Sequence, residues 1–320
     1  MFGSALIALA LLPLGLAAVQ DAPQASAPAS APASAPISSE QLPVTEADVL
    51  KLGSDIPGRL TVQVMIGAAG PYPFTIDTGA ERSVISGELA RLLGLARGRS
   101  VRVTTMTGAS IVATAIIPSL KVSTIATGRI EAPIFKGNDL GAPGLLGLDS
   151  LKGHAVSIDF DRQVMTVRAA GRSTRAARND PDEIVIRAKS LFGQLVVTDA
   201  SFRGQRVQVV LDTGSAVTVG NQALRRRIVN PRGGIKPLAL TSVTGASLST
   251  DYASIGEVRL GTVVFQNLPV AFADAAPFAR FGLIRRPALL LGIDALREFR
   301  RVDIDFANRE VRLALPVRPR

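Results

Sequence analysis

The chain has 320 residues, a formal net charge of +10 and 47% hydrophobic residues, so it is long enough for two small domains or one bilobal one. It has no cysteine and one histidine, His154. The absence of cysteine excludes a disulfide scaffold. With one histidine and no cysteine, the chain has almost none of the side chains that Ser-His-Asp, Cys-His and metal-dependent mechanisms need. The positive residues are scattered arginines, and with no tryptophan and two tyrosines there is little surface for stacking bases. We therefore expect no metal, no cofactor and no nucleic-acid partner.

The first nineteen residues resemble a secretory signal peptide. An apolar run extends from Ala5 to Val19, and Leu16-Ala17-Ala18 offers small residues for cleavage. The run is too short for a comfortable membrane span. No lysine or arginine precedes it, so an uncleaved membrane anchor is the alternative. We expect a periplasmic or secreted protein, which is membrane-anchored if this segment is retained.

The next segment, residues 20–41, is rich in proline, alanine and serine, and this composition predicts a disordered tether. Beyond it, short apolar runs separated by Gly, Pro and Asn predict an all-β fold. Helical patterns are few, at Gly87 to Leu95 and Asn221 to Ile228, with further helices starting near Ser150 and Ala295.

The folded part is built around one pattern that occurs twice. Phe74-Thr75-Ile76-Asp77-Thr78-Gly79 returns as Val209-Val210-Leu211-Asp212-Thr213-Gly214. Aspartate and glycine are depleted in strands, and glycine permits a tight turn. Each copy therefore predicts an acid presented at the end of a buried strand.

The repeat continues on both sides of these acids. The four further landmarks are Gly58-Arg59-Leu60 with Gly193-Gln194-Leu195, Thr107-Gly108-Ala109-Ser110 with Thr244-Gly245-Ala246-Ser247, Leu145 to Asp149 with Leu290 to Asp294, and Ile158-Asp159-Phe160 with Ile304-Asp305-Phe306. The spacing between copies grows from 135 to 146 residues, which predicts an insertion in the second repeat within Pro277 to Pro287. The predicted organisation is a signal peptide at 1–19, a tether at 20–41, a first repeat at 42–168, a linker at 169–182 and a second repeat at 183–320.

Two acids presented in this way can act as a pair. Two unit charges about 3 Å apart repel by roughly 5 kcal/mol at an effective dielectric of about 20, or about four pKa units. The pair therefore shares a proton. One carboxylate can take a proton from water while the other donates one to a carbonyl oxygen, so the pair can hydrolyse a peptide bond.

These motifs resemble those of the retropepsin-like aspartic peptidases, with two repeats fused in one chain. Asp77-Thr78-Gly79-Ala80 resembles the retroviral form of the motif, and Asp212-Thr213-Gly214-Ser215 resembles the pepsin form. The resemblance implies a bilobal acid-protease fold of two β-barrel repeats, with Asp77 and Asp212 as the catalytic pair. It also implies that Thr78 and Thr213 hydrogen-bond across the axis, that Gly79 and Gly214 allow the turns, and that the Ser215 hydroxyl hydrogen-bonds its carboxylate.

Two hairpins are the predicted flaps over the substrate. Gly at the tip of a strand-turn-strand pattern indicates a hairpin. The resemblance implies that both tips contact substrate, and the residues concerned are Met106, Thr107, Gly108, Ala109 and Ser110 in the first flap and Val243, Thr244, Gly245, Ala246 and Ser247 in the second. Asp149 and Asp294 are predicted to cap the helices that follow them.

The leading hypothesis is a monomeric aspartic endopeptidase that takes an extended peptide or an unfolded protein as substrate. The first alternative is a peptide-binding or scaffolding module that keeps the fold without cleaving. The second is an enzyme in which each repeat pairs with a repeat of another chain.

Overall fold

A computed structural model describes residues 5–7, 48–51, 59–122, 125–151, 153–170, 183–191, 193–228 and 231–316. The predicted signal peptide, tether and linker fall largely outside these residues, so those three assignments and the localisation stay predictions. Among the described residues, no helix is long and apolar enough to cross a membrane.

The described residues are mostly strands with a few short helices, which confirms the all-β prediction. In chain order the strands are β1 Ala5–Ile7, β2 Asp48–Lys51, β3 Thr61–Ile66, β4 Ala69–Ile76, β5 Val84–Ser86, β6 Val101–Thr105, β7 Gly108–Val112, β8 Thr114–Ile117, β9 Leu120–Val122, β10 Ile125–Thr127, β11 Ile130–Phe135, β12 Gly144–Leu146, β13 His154–Asp159, β14 Val164–Ala169, β15 Glu183–Leu191, β16 Gln194–Phe202, β17 Gln205–Leu211, β18 Val219–Gly220, β19 Arg232–Thr241, β20 Ser247–Ile255, β21 Val258–Leu260, β22 Val263–Phe265, β23 Leu268–Phe272, β24 Ala288–Leu291, β25 Arg301–Asp305 and β26 Glu310–Ala314. The helices are α1 Gly87–Leu92, α2 Gly137–Leu140, α3 Leu148–Leu151, α4 Gln222–Arg225, α5 Ala276–Arg280 and α6 Ile293–Leu296.

Both repeats contain the same four-strand arrangement. The strand that ends at the aspartate runs parallel to the strand before the glycine landmark, as β4 does with β12 and β17 with β24. That second strand is antiparallel to the strand after the aspartate turn, β5 or β18. The last of these runs parallel to β11 or β23. The repeat seen in the sequence is therefore a repeat of strand pairing, and the two copies form the two lobes of a bilobal fold.

An antiparallel sheet joins the two lobes. Its strand order is β15-β26-β25-β13-β14-β2, so the last hairpin of each repeat lies at its centre. The lobes meet where β13 pairs with β25, with Val156 opposite Ile304. Both residues are buried in a hydrophobic core that extends into both lobes. This continuous sheet holds the two aspartate strands in one frame.

The helices were predicted in the right places but with different ends. Helix α1 stops at Leu92, and its N-cap Ser86 accepts a hydrogen bond from the backbone of Leu89 at 3.1 Å. The equivalent residue Asn221 accepts one from the backbone of Leu224 at 2.9 Å, so both copies begin this helix with a polar side chain. Helices α2 and α5 were not predicted.

Asp149 and Asp294 are not the N-caps that were predicted. Both residues lie inside short helices, α3 and α6, and the N-cap of α6 is Gly292. Asp294 does accept a hydrogen bond from the N–H of Ala295 in the first turn of α6, at 2.8 Å. It also accepts hydrogen bonds from the hydroxyl and the N–H of Thr218, at 2.7 and 3.0 Å. Asp149 accepts the equivalent pair from Ser83, at 2.7 and 2.8 Å. The two acids therefore tie each helix to the segment after the aspartate turn.

The predicted insertion in the second repeat is found where it was expected. The connection between the equivalent strands covers residues 136–143 in the first repeat and 273–287 in the second. The longer connection holds α5, whose Phe278 is fully buried. The predicted range, Pro277 to Pro287, therefore lies within this longer connection.

The landmark glycines allow two backbone segments to touch. A Cβ at Gly292 would lie 2.6 Å from the carbonyl carbon of Val217, a distance that real Cβ atoms do not show. A Cβ at the equivalent Gly147 would collide with the backbone of Arg82. Only glycine therefore lets this strand end pack on the segment after the aspartate turn.

We expect Gly292→Ala to lower the free energy of unfolding by at least about 2 kcal/mol, because the backbone of Val217 cannot give way as a flexible side chain can. Urea unfolding measures this. The control is Gly256→Ala, where the added Cβ meets nothing within 4 Å and a change within about 0.5 kcal/mol is expected. Equal effects of the two substitutions would contradict the close approach.

Candidate active site

The two aspartates occupy equivalent positions at the ends of β4 and β17. The N–H of Asp77 donates to the carbonyl of Leu146 at 3.0 Å, and the N–H of Asp212 donates to that of Leu291 at 3.0 Å. The exposed fractions of the two aspartates are 0% and 2%. Each acid is thus fixed by the neighbouring parallel strand and is closed off from solvent.

The structure brings Asp77 and Asp212 together across the interface between the lobes. A Cβ at Gly79 would lie 2.5 Å from Oδ1 of Asp212, and a Cβ at Gly214 would collide with the carboxylate of Asp77. Each turn therefore needs glycine because the opposite carboxylate occupies the space of a side chain. The two acids and the two glycines form one compact unit.

Thr78 and Thr213 interlock the two turns. The N–H of Thr78 donates to Oγ1 of Thr213 at 3.0 Å, and the N–H of Thr213 donates to Oγ1 of Thr78 at 3.1 Å. The hydroxyls then donate across the interface, from Thr78 to the carbonyl of Leu211 at 3.3 Å and from Thr213 to that of Ile76 at 3.1 Å. These are the cross-axis hydrogen bonds that the resemblance implies, and all of them are buried.

Backbone N–H groups orient the carboxylates within their own turns. Gly79 N–H donates to Oδ1 of Asp77 at 2.8 Å. Oδ1 of Asp212 accepts from the N–H groups of Gly214 at 3.1 Å and Ser215 at 3.2 Å. The expected bond from the Ser215 hydroxyl to this carboxylate is not the one formed, because that hydroxyl donates to the carbonyl of Val217 at 2.7 Å. Ser215 therefore contributes its N–H, and not its hydroxyl, to the carboxylate of Asp212.

Burial and mutual repulsion dominate the electrostatics of the pair. Loss of solvent raises the pKa of Asp212, and the charge of Asp77 raises it further. The N–H groups of Ser215 and Gly214 and the charge of Arg59 act in the opposite direction. The upward direction prevails because a carboxylate without solvent beside a second one cannot readily ionise.

Two further buried side chains, which the sequence showed only as landmarks of the repeat, hold the two turns. Arg59 donates from Nη2 to the carbonyl of Gly214 at 2.9 Å and from Nη1 to that of Leu140 at 3.0 Å. Its equivalent, Gln194, donates from Nε2 to the carbonyl of Gly79. Each side chain thus reaches from one lobe to the turn of the other. A charged residue beside an apolar strand, repeated as an amide, was the signal available in the sequence.

Both flap tips lie in the opposite lobe. Met106 is 3% exposed and packs with Phe278 and Leu290 of the second lobe. Val243 is fully buried and packs with Val84 and Leu145 of the first. Each flap tip is therefore packed among apolar side chains of the opposite lobe.

The remaining predicted flap residues lie at or beside the tips. Thr107, Gly108 and Thr244 are half-buried, and the exposed ones are Ala109, Ser110, Gly245, Ala246 and Ser247. The second flap is the longer one, because its strands β19 and β20 have 10 and 9 residues, whereas β6 and β7 have 5 residues each. Substrate contact by these residues stays a prediction.

The inserted helix α5 joins the second lobe to the first flap. The N–H of Ala276 donates to the carbonyl of Met106 at 3.2 Å. Arg280, at its last turn, forms an ion pair with Glu81, four residues after Asp77. The insertion therefore contacts both the first flap and the segment after the first aspartate turn.

Within the part of the chain that the structure describes, no group of three or more His, Cys, Asp or Glu side chains could hold a metal ion. The site therefore presents two buried carboxylates close to each other.

Comparison with known proteins agrees with this geometry. The family described as gag-polyprotein putative aspartyl protease matches residues 62–153, and the family described as aspartyl protease matches residues 198–295. Each match contains one strand-Asp-Thr-Gly turn. The chain therefore carries two aspartyl protease domains in tandem, which is consistent with two retropepsin-like repeats. No curated protein matches the chain.

The hydroxyl of Thr213 can be removed without changing the shape of the side chain. We expect Thr213→Val to lower the free energy of unfolding by about 2–5 kcal/mol, because it leaves the N–H of Thr78 and the carbonyl of Ile76 buried and unpaired. Urea unfolding measures this. Thr213→Ser keeps the hydroxyl and is the control, and an equal loss in both variants would contradict the interlock.

The raised pKa of Asp212 predicts a pH-dependent stability. A group whose pKa is higher in the folded state contributes fully below its unfolded pKa, and this contribution is lost as the pH rises through the folded value. Asp212→Asn cannot ionise, so its stability relative to the wild type should increase by up to about 1.4 kcal/mol for each pH unit in that window. Urea unfolding from pH 4 to 9 measures the difference. Asp161→Asn, at an exposed turn, is the control, and a difference that is constant with pH would contradict the assignment.

Proposed function

We propose that the chain is an aspartic endopeptidase that hydrolyses peptide bonds with a water molecule activated by Asp77 and Asp212. The observation that supports this most directly is the contact of the two turns within one chain, where each glycine leaves room only for the opposite carboxylate. A pair of ordinary turn aspartates has no reason to meet in this way at the cost of mutual repulsion.

In the proposed reaction the pair begins with one proton and one negative charge. The ionised carboxylate takes a proton from water as the water oxygen bonds to the peptide carbon, and the protonated carboxyl gives its proton to the carbonyl oxygen. A proton then passes from the pair to the peptide nitrogen and the C–N bond breaks. As the carboxyl product forms, a hydroxyl of the tetrahedral intermediate returns a proton to the pair, which is thereby restored. The two roles belong to the pair, because strongly interacting acids titrate as one unit.

The flaps support an extended peptide as the substrate. Each is an antiparallel hairpin, so backbone groups near Gly108 and Gly245 are suited to pair with a peptide as an added strand does. The tips are packed among apolar side chains that include Val84, Leu145 and Leu290, which favours apolar residues beside the cleaved bond. Because the tips are packed against the opposite lobe, we expect a substrate to bind only after they lift.

Cleavage of an unfolded protein such as casein tests this proposal between acid and neutral pH. Asp77→Asn and Asp212→Asn should each lower the rate by about a thousandfold, because either change removes one half of the proton exchange. Asp161→Asn is the matched control and should cleave as the wild type does.

Mixing the two inactive variants separates one site per chain from a site shared between chains. No recovery is expected, because both halves of the site come from one chain. Recovery of activity would favour pairing between chains. A folded wild type that cleaves nothing at any pH would favour the alternative, a peptide-binding module.

A further inference from the structure

Arg59 is a buried cation next to the aspartate pair, and neither repeat symmetry nor the family match accounts for its charge. Its side chain is 0% exposed, and it is the only lysine or arginine among the described buried residues. Its two terminal nitrogens hold the carbonyls of Gly214 and Leu140. Its Nε has no hydrogen-bond partner in the described structure. A charge in such a place is costly unless an opposite charge offsets it.

The second repeat shows that a residue at the position of Arg59 can hold the opposite turn without a charge. Gln194 lies at the same place in its repeat and crosses to the opposite turn, where it donates to the carbonyl of Gly79. Arg59 does the same toward Gly214. A neutral amide is therefore sufficient to hold a turn, so the positive charge of Arg59 must have another consequence.

The negative charge that offsets Arg59 is that of the pair. Burial lowers the pKa of Arg59 to about 10, and the charges of Asp77 and Asp212 act to raise it. Arg59 therefore stays protonated at neutral and acid pH. With one proton shared by the two aspartates, the three buried side chains carry no net charge.

Among the residues that the structure describes, the other acids near the two turns have contacts elsewhere. Glu81 is ion-paired with Arg280. Asp149 and Asp294 accept hydrogen bonds from Ser83 and Thr218. Asp139 lies beside Gly245 of the second flap.

We propose that Arg59 is a positioning residue whose buried charge stabilises the singly ionised aspartate pair and so places the pH range of catalysis lower than the pair alone would. This inference rests on the proposed function. A nearby cation favours loss of the first proton from the pair, and it also favours loss of the second. Both limbs of the pH–activity profile therefore lie at lower pH when the cation is present.

The test is the pH dependence of kcat/KM for wild type and Arg59→Gln, which places in the first repeat the residue that the second repeat uses. Both limbs should move to higher pH by about one to two units, as expected for a unit charge a few ångströms away. Arg59→Lys keeps the charge and should return both limbs toward the wild-type positions. Limbs that stay in place in an Arg59→Gln variant with reduced activity would overturn the proposal and leave Arg59 a structural role.

A second variant tests the same idea with the opposite sign. Gln194→Lys adds a cation at the equivalent place in the second repeat, with a length that still reaches the carbonyl of Gly79. Both limbs should then move to lower pH. The Gln194→Lys experiment tests the proposal even if Arg59→Gln does not fold. A pH–activity profile of Gln194→Lys whose limbs do not move would overturn the proposal. Gln194→Met removes the hydrogen bond without changing charge and should leave the limbs in place.

The outcome can be separated from failure of the proposed function. Carbon-13 NMR of labelled aspartate carboxyls follows the ionisation of the pair without any substrate. If the wild type does not cleave, titration midpoints that rise in Arg59→Gln and fall in Gln194→Lys would still support the electrostatic role. Midpoints that do not move would overturn it.

Discussion

Two carboxylates buried against each other impose the constraint on which the rest of this structure depends. They repel, they lack solvent, and they can remain together only if the backbone holds them. Hydrogen bonds between Thr78 and Thr213 hold the turns from both sides, so neither aspartate can withdraw without breaking buried bonds in the other lobe. The glycines at 79 and 214 leave the space that the carboxylates fill. Stability and proposed chemistry therefore depend on the same contacts.

The fold supplies this constraint twice from one strand arrangement. In each lobe the aspartate strand is flanked by the strand that ends at the landmark glycine, and the joining sheet keeps the two lobes in register. Departures from symmetry are concentrated at the site itself. They are the charge of Arg59 against the amide of Gln194, the longer second flap and the inserted helix α5. A single chain can keep such differences, whereas a symmetric dimer of one repeat cannot.

Local sequence determines much of what was predicted. A strand running into Asp-Thr-Gly and a glycine at a hairpin tip are each specified within a few residues, and both were located correctly. What was missed depends on residues far apart in the chain. The helices α2 and α5 are shorter than two turns, so packing rather than propensity decides them.

Local sequence patterns likewise could not predict the contacts between the lobes. The reach of Arg59 to Gly214 and the seat of Met106 beside Phe278 join residues more than a hundred positions apart. The Ser215 hydroxyl was assigned to its carboxylate by resemblance, but the carbonyl of Val217 is the acceptor that its turn presents. In the part of the chain that the structure describes, the sequence predicted which acids meet and that Thr78 and Thr213 bond across the axis. The structure added that Arg59 and Gln194 each reach the turn of the opposite lobe.

The central claim is that both turns form one site in each chain. Titration calorimetry tests it most directly, with an apolar peptide analogue in which a hydroxyl-bearing carbon replaces the carbonyl of the cleaved bond. One molecule of the analogue should bind to each chain, and binding should be lost in both Asp77→Asn and Asp212→Asn. Two bound per chain, or binding that either substitution leaves intact, would contradict it.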